Sequence, residues 1–230
     1  MHPDVASFPA TTFYAEERLS VVPLPHQQAT TLGYDLPAQD RTDQLLKEQR
    51  VVFFDVEGGN EAHEAHRPHE AHWTHEAHEP SSSLSEKVNV GEARVVADLL
   101  RRIRRFYGDR FSAEKTVGVI VPYRNQIAAI RQEIARLGLP DLLGISIDTV
   151  ERYQGSQRDV IIYSFTITHA YQLDYLPSNT FVDGVGRAID RKLNVALTRA
   201  RCQLLMSGCA RVLSSNPLFR QLIGRYRVDA

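Results

Sequence analysis

The hydrophobic positions of the chain form two kinds of pattern, short apolar runs and longer segments with helical spacing. The runs are rich in β-branched residues and predict buried strands at residues 51–56, 116–121, 145–150, 160–165 and 203–207. Apolar residues spaced three and four positions apart predict helices at residues 93–107, 127–137, 189–200 and 216–226. Because strands alternate with amphipathic helices, we predict an α/β fold, a layered domain with a mostly parallel sheet flanked by helices.

The remaining segments are less regular. Residues 1–50 contain several prolines and no sustained period, and are predicted to form a lead-in segment with a short helix near residues 11–19. A loop of about twenty residues is predicted after residue 165, because it contains Pro177, Gly184 and Gly186. In parallel sheets ligands bind beyond the carboxyl ends of the strands, so candidate chemistry is expected in the segments that follow the predicted strands.

Composition and charge are those of an ordinary soluble protein, with 43% hydrophobic and 24% charged residues. The formal net charge of −1 argues against binding of nucleic acid by the overall charge of the chain. A local basic surface is the alternative way to bind it. The two cysteines, Cys202 and Cys209, indicate a reducing compartment, not a disulfide framework. No apolar run approaches the length of a membrane span and the N-terminus is polar, so we expect a cytoplasmic protein with no membrane partner.

A histidine-rich tract occupies residues 61–80. Its histidines recur every third residue, which does not match the turn of an α-helix but would align their rings along one edge of a polyproline-type chain. We interpret the tract as a low-complexity insertion in a surface loop, and a weak transition-metal site is the alternative. The candidate ligands are His63, His66, His69, His72, His75 and His78.

Residues 191–201 carry the densest group of cations in the chain. With the apolar stripe of the predicted helix packed on the sheet, helical spacing places Arg191, Asn194, Thr198 and Arg201 on one face and Lys192 and Arg199 on the adjoining one. A guanidinium on a rigid helix suits bidentate recognition of phosphate and always keeps its charge. A solvated basic face is the alternative.

Two further segments could carry chemistry. The polar turn at residues 148–159 contains Gly155, which permits a close approach of the backbone to a ligand, and Thr149 and Gln154, which can hydrogen-bond a phosphate or a ribose. Residues 122–126 open a helix, whose free N–H groups could receive a phosphate. As a lone pattern the first segment is simply a polar turn, and an ordinary helix start explains the second segment equally well.

Taken in this order, the three segments resemble motifs IV, V and VI of the superfamily 1 (1B) nucleic-acid helicases of the RNA-surveillance and senataxin type. Residues 193–200 match the sixth motif of that family, Leu-Asn-Val-Ala-Leu-Thr-Arg-Ala, throughout. Residues 122–126 match its Pro-Tyr-x-x-Gln, and residues 149–155 resemble its Thr-Val-Asp-x-x-Gln-Gly. The Met-His-Pro start and the Asn-x-x-Glu-Ala at residues 89–93 match further family elements, so the resemblance runs from residue 1 to about residue 210.

The resemblance implies a RecA-like second lobe at residues 51–230, joined by residues 1–50 to a first lobe. Arg199 would be the arginine finger that reaches the γ-phosphate of ATP, with Mg²⁺ as the metal of the complete enzyme. ATP-binding roles are implied for Gln154, Gly155, Gln157 and Arg199. Contacts with single-stranded DNA or RNA are implied for Thr149, Pro122, Tyr123, Gln126, Asn194 and Thr198.

The chain also departs from the family pattern. Gln157 stands where the fifth motif has Glu, and Glu151 stands where it has Asp, so the nucleotide contact at Gln157 would lack negative charge. The sequence contains no Gly-Lys and no Asp-Glu pair, which are parts of the Walker A and Walker B elements of ATP hydrolysis in this family.

Three functional hypotheses follow. We expect the motor lobe of an ATP-dependent helicase, inactive alone and encoded either as an excised lobe or in a truncated reading frame. The alternatives are a free-standing, non-catalytic module that binds nucleic acid or a partner, and a metal-binding protein centred on the histidine tract.

Overall fold

The computed structural model describes residues 1–17, 24–56, 87–174, 176, 180–182, 186 and 188–228. The histidine tract, and with it the hypothesis of a weak metal site, lies outside these residues. Membrane-spanning character is not found in any helix of the described ranges, since none is both long and apolar enough.

A five-stranded sheet forms the centre of the fold, with all neighbouring strands parallel and the order β1-β7-β4-β2-β3. Its strands are β1 (Val51–Asp55), β2 (Val117–Val121), β3 (Ser146–Thr149), β4 (Arg158–Ser164) and β7 (Ala200–Gly208). Helices cover both faces, which confirms the predicted α/β, RecA-like class.

Eight α-helices surround the sheet in the part of the chain that the structure describes. They are α1 (Pro3–Thr12), α2 (Pro25–Gln28), α3 (Arg41–Glu48), α4 (Val90–Tyr107), α5 (Arg124–Arg136), α6 (Arg191–Leu197), α7 (Ala210–Leu213) and α8 (Pro217–Tyr226). Local signals set several of their ends. The side chain of Asn89 caps α4 by accepting from the N–H of Glu92, and Gly138, at φ +65°, follows α5 in the left-handed conformation that glycine tolerates.

Successive strand residues point to opposite faces, which gives the sheet two apolar layers. On one face Phe53, Ile161 and Leu204 pack with residues of α1, α6, α7 and α8. On the other face the next residues along the strands, such as Ile162 and Leu205, pack with residues of α3, α4 and α5. Strands buried on both faces read as continuous apolar runs, and this is why the sequence predicts them well.

The N-terminal segment is more regular than predicted. The expected helix near residues 11–19 is wrong: α1 begins eight residues earlier, at Pro3, and ends at Thr12. His2 starts it by accepting from the N–H of Asp4, and a proline is favourable in the first helical turn. Residues 1–50 also contain α2 and α3, and they contribute buried residues to both apolar layers.

Two predictions in the C-terminal half need correction. The loop predicted after residue 165 contains a 3₁₀ helix at Ala170–Asp174 and an antiparallel pair, β5 (Thr180–Val182) and β6 (Ala188–Asp190). The helix predicted at residues 189–200 is shorter, because β6 extends to its first residues and β7 begins at Ala200. Arg201 therefore lies in β7 and not on α6, and its Nε donates to the carboxylate of Asp159 at 2.9 Å.

Buried ion pairs join α3 to α4. The side chain of Asp43 is fully buried, and its Oδ1 accepts from Nη1 of Arg102 at 2.7 Å, while Arg105 binds its other oxygen. These hydrogen bonds outweigh burial, which alone raises the pKa of Asp43, and hold that pKa at about 2. The carboxylate is therefore ionised and depends on both guanidinium groups.

We predict that Arg102→Met lowers the free energy of unfolding by about 3 kcal/mol, because it leaves a buried carboxylate short of one partner. Chemical denaturation measures the change. Arg104→Met is the matched control, since Arg104 pairs with the half-exposed Asp141 at 2.7 Å and its loss should cost at most about 1 kcal/mol. Equal effects of the two substitutions would contradict the assignment.

Candidate nucleotide and nucleic-acid site

A pocket opens where β2, β3 and β4 end, at what we call the carboxyl edge of the sheet. Its volume of about 60 Å³ is far below the roughly 300 Å³ of pockets that enclose a small ligand, so it cannot hold a whole nucleotide. Segments that follow β2 and β3 and the start of α6 line it. The lining residues are Pro122, Tyr123, Val150, Glu151, Tyr163, Leu176, Asp190, Lys192 and Leu193.

The residues predicted to bind ATP do not lie at this edge. Arg199 precedes β7, and its carbonyl accepts from the N–H of Arg158, the first residue of β4, at 3.1 Å. Arg199 and Gln157 are thus neighbours at the opposite, amino edge of the sheet. Since β4 has seven residues, about 20 Å separate the two edges. These candidate ATP-binding residues therefore lie apart from the carboxyl ends of the strands, where the search for ligand sites began.

The segment at residues 150–157, which we call the crossover segment, runs from one edge to the other. It is anchored by Tyr153, a buried residue whose hydroxyl donates to the carbonyl of Ser146 at 2.7 Å. This ring lies over Gly118 of β2, where a Cβ would stand 2.2 Å from the tyrosine hydroxyl, so only glycine leaves room for it. The anchor leaves Gln154 and Gly155 exposed, with Gly155 at φ +84°.

Helix α6 also connects the two edges. The side chain of Asp190 caps its start by accepting from the N–H of Leu193 at 2.9 Å, beside the pocket. At its other end the guanidinium of Arg199 folds back on the helix. Its Nε donates to the carbonyl of Val195 and its Nη2 to the hydroxyl of Thr198, both at 3.0 Å. A cation is favoured there because the last carbonyls of a helix carry partial negative charge.

Two predicted nucleic-acid contacts on α6 make hydrogen bonds within the chain. The side-chain amide of Asn194 donates to the hydroxyl of Tyr14 at 2.7 Å, which ties α6 to the segment after α1. The hydroxyl of Thr198 donates to the carbonyl of Asn194 at 2.8 Å. Both side chains are half-buried, and in this arrangement they position the helix that carries Arg199.

Gln126 does not occupy the position that a contact with nucleic acid requires. It is fully buried: its Oε1 accepts from the backbone N–H of Asn89 at 2.8 Å, and its Nε2 donates to the carbonyl of the same residue at 3.0 Å. The predicted role is corrected accordingly, because the side chain holds the start of α4 against the start of α5. Thr149, Pro122 and Tyr123 are half-buried and remain at the carboxyl edge.

A fully buried carboxylate, that of Glu92, lies beneath the carboxyl edge. Its Oε2 accepts from the hydroxyl of Ser164 at 2.6 Å, from the N–H of Thr166 at 3.0 Å and from the hydroxyl of Ser207 at 3.4 Å, and its Oε1 accepts from the amide of Asn89 at 3.1 Å. Burial raises the pKa of Glu92 to about 7, although all four hydrogen bonds favour the charged form. Glu92 thus binds the ends of β4 and β7 to α4.

Sequence reasoning missed most of this network. Glu92 matched a helix start, and nothing local indicated that its partners would come from two strands. The available signals were polar or small residues inside apolar runs. They are Ser164 and Ser207 in the network of Glu92, and Gly118 beneath Tyr153.

Comparisons with known proteins identify a family model and several similar proteins. A family model described as an AAA domain matches residues 1–211. The "Regulator of nonsense transcripts 1" of Dictyostelium discoideum is 29% identical over 99% of the chain, and "Helicase SEN1" of Saccharomyces cerevisiae is 28% identical over 97%. "Putative helicase MOV-10" of Gallus gallus is 34% identical over 61% of the chain. The matched regions amount to only 14%, 8% and 15% of those proteins, respectively.

The buried carboxylate generates a prediction about pH. The pKa of Glu92 in the folded state, about 7, is above its usual 4.5, so the folded state binds the proton more tightly than the unfolded state. Its contribution to the free energy of unfolding is therefore full below about pH 4.5 and falls as the pH rises towards 7, by about 3 kcal/mol in total. Glu92→Gln, which cannot ionise, should remove this part of the pH dependence.

Urea unfolding at a series of pH values from 4.5 to 8 measures this pH dependence of the free energy of unfolding. Glu114→Gln, at an exposed position, is the control and should retain the pH profile of the native chain. An unchanged profile in Glu92→Gln would show that the buried carboxylate is not its source.

Proposed function

The chain belongs to the AAA domain family and, within it, to the superfamily 1 helicases of the RNA-surveillance and senataxin type, and we propose that it forms their second, C-terminal motor lobe. The observation that carries the proposal is the course of α6, which starts at the pocket of the carboxyl edge and ends two residues before Arg199, near the amino edge. A first lobe would supply Walker A and Walker B, and without it this lobe is inactive.

At the amino edge, Arg199 would act on ATP held by the first lobe. Water attacks the γ-phosphorus, the bond from that atom to the β,γ-bridging oxygen breaks, and ADP and phosphate leave. The guanidinium of Arg199 would stabilise the negative charge on the γ-phosphoryl oxygens in the transition state. Its hydrogen bonds to α6 keep it near the position from which it would reach across. We assign Mg²⁺ to the first lobe, because the Walker elements hold the metal in this chemistry.

Exposed residues of the crossover segment would line the nucleotide cleft beside Arg199. Gln154 and Gln157 offer amide groups that can hydrogen-bond a ribose or a phosphate, and Gly155 lets the backbone come close. Gln157 would bind ribose hydroxyls without the negative charge that the family's Glu provides.

At the carboxyl edge, single-stranded DNA or RNA would lie across Pro122, Tyr123 and Thr149. The hydroxyl of Thr149 can bond a phosphate, and the exposed cation of Arg124, at the start of α5, lies next to Tyr123 in the chain. Contacts of this kind are independent of base sequence and depend on salt. They suit a motor that moves along a strand.

Coupling between the two ends would run through α6 and the crossover segment. An ion pair joins them beside the pocket, where Nζ of Lys192 lies 3.0 Å from Oε1 of Glu151. The hydrogen bond between Asn194 and Tyr14 fixes the middle of the helix. A strand that moves Thr149 or Glu151 at the carboxyl edge would therefore shift Arg199 at the amino edge.

We predict that Arg199→Ala lowers ATP hydrolysis about 10³-fold in a two-lobe protein, made by joining this chain to a first lobe with Gly-x-x-x-x-Gly-Lys-Thr. The rate is measured at saturating ATP and single-stranded nucleic acid. Arg211→Ala, an exposed arginine on α7, is the matched control and should leave the rate unchanged. A native rate in Arg199→Ala would exclude the arginine-finger role.

A further inference from the structure

An aromatic pair stands beside the carboxyl edge, in the segment that follows β4. The rings of His169 and Tyr171 are stacked, with centroids 5.6 Å apart and planes 28° from parallel. Both residues are exposed, Tyr171 to 48%, which makes it one of the few large hydrophobic residues at the surface of the described chain.

The segment that carries this pair is held rigidly from within. Gln172 is buried, and its Oε1 accepts from the backbone N–H groups of Thr168 and His169, both at 2.8 Å. Leu173, the next residue, is packed into the core. Buried residues thus hold a short turn on which both aromatic residues are exposed.

The start of the turn is fixed as well. Thr166 adopts φ +61°, a conformation that residues with a Cβ rarely adopt, and its N–H donates to the buried carboxylate of Glu92 at 3.0 Å. This hydrogen bond compensates part of the strain and sets the direction in which the chain leaves β4. The orientation of Tyr171 is therefore built into the fold.

The pair lies near the proposed path of the nucleic acid. Leu176, five residues after Tyr171, lines the same pocket as Tyr123. The segment that carries the pair follows β4, whose Tyr163 lines that pocket as well. A strand that touches Tyr123 can thus bring a base to Tyr171.

We propose that Tyr171, supported by His169, is a stacking platform for one unpaired base of the single strand bound at the carboxyl edge, an inference that rests on the proposed function. Every base has a π-face, so such a platform accepts DNA and RNA of any sequence. It also favours single strands over duplexes, whose bases are already stacked on each other. The platform would add base contacts to the phosphate contacts of the edge.

The test uses the complete 230-residue chain at low salt and measures binding by fluorescence anisotropy. The probes are labelled strands of about twelve residues, one of uridine, one of thymidine and one with abasic sugars throughout. We expect Tyr171→Ala to raise the Kd for the two base-containing strands at least about fivefold and to leave that for the abasic strand unchanged. Tyr171→Trp should bind at least as tightly as the native chain.

Two further variants serve as controls. Leu143→Ala, at an exposed position away from the pocket, should bind all strands as the native chain does. Arg124→Ala should weaken binding of all three strands alike and reduce the dependence on salt, because it removes a phosphate contact.

The outcomes separate the two proposals. If the native chain binds the strands and Tyr171→Ala binds them equally well, the stacking platform is wrong and the nucleic-acid edge stands. If the native chain binds none of the strands at low salt, the nucleic-acid role of the whole edge is wrong, and the stacking platform with it.

Discussion

The carboxylate of Glu92 is the contact on which the arrangement of the carboxyl edge depends. A buried charge is costly unless donors surround it, and here four do, from the cap of α4, from β4, from β7 and from Thr166, two residues after β4. Gln126 of α5 extends the network through two hydrogen bonds to the backbone of Asn89. These bonds connect α5, and with it the segment after β2, to the start of α4. One buried group thus fixes the relative positions of the strand ends that carry Tyr123, Thr166 and Tyr171.

The two proposed ligands are separated by the length of the sheet. Pro122, Tyr123 and Thr149 stand at the end of the strands, while Arg199 and Gln157 stand at their beginning, about 20 Å away. Outside the sheet, α6 and the crossover segment run between them. A motor needs the two sites to be coupled, and elements that contact both sites can carry that coupling.

The sequence predicts the layers of this fold well because strands buried on both faces leave apolar runs, as in Val160–Tyr163. It predicts less where contacts between residues far apart in the chain determine the structure. The Pro-Tyr-x-x-Gln segment indicates a helix start, but the partner of Gln126 is Asn89, 37 residues away. Arg201 has helical spacing from Asn194, but it forms part of β7. The serines inside the apolar runs indicate buried polar contacts, but that their common partner is Glu92 depends on the assembled sheet.

Charge reversal across the ion pair beside the pocket tests the coupling most directly. In the two-lobe protein, the measured quantity is the ratio of ATP hydrolysis rates with and without saturating single-stranded RNA. Glu151→Lys and Lys192→Glu should each lower that ratio, and the double variant, which restores an ion pair of opposite direction, should recover much of it. If both single variants keep the native ratio, α6 and the crossover segment do not carry the signal through this pair.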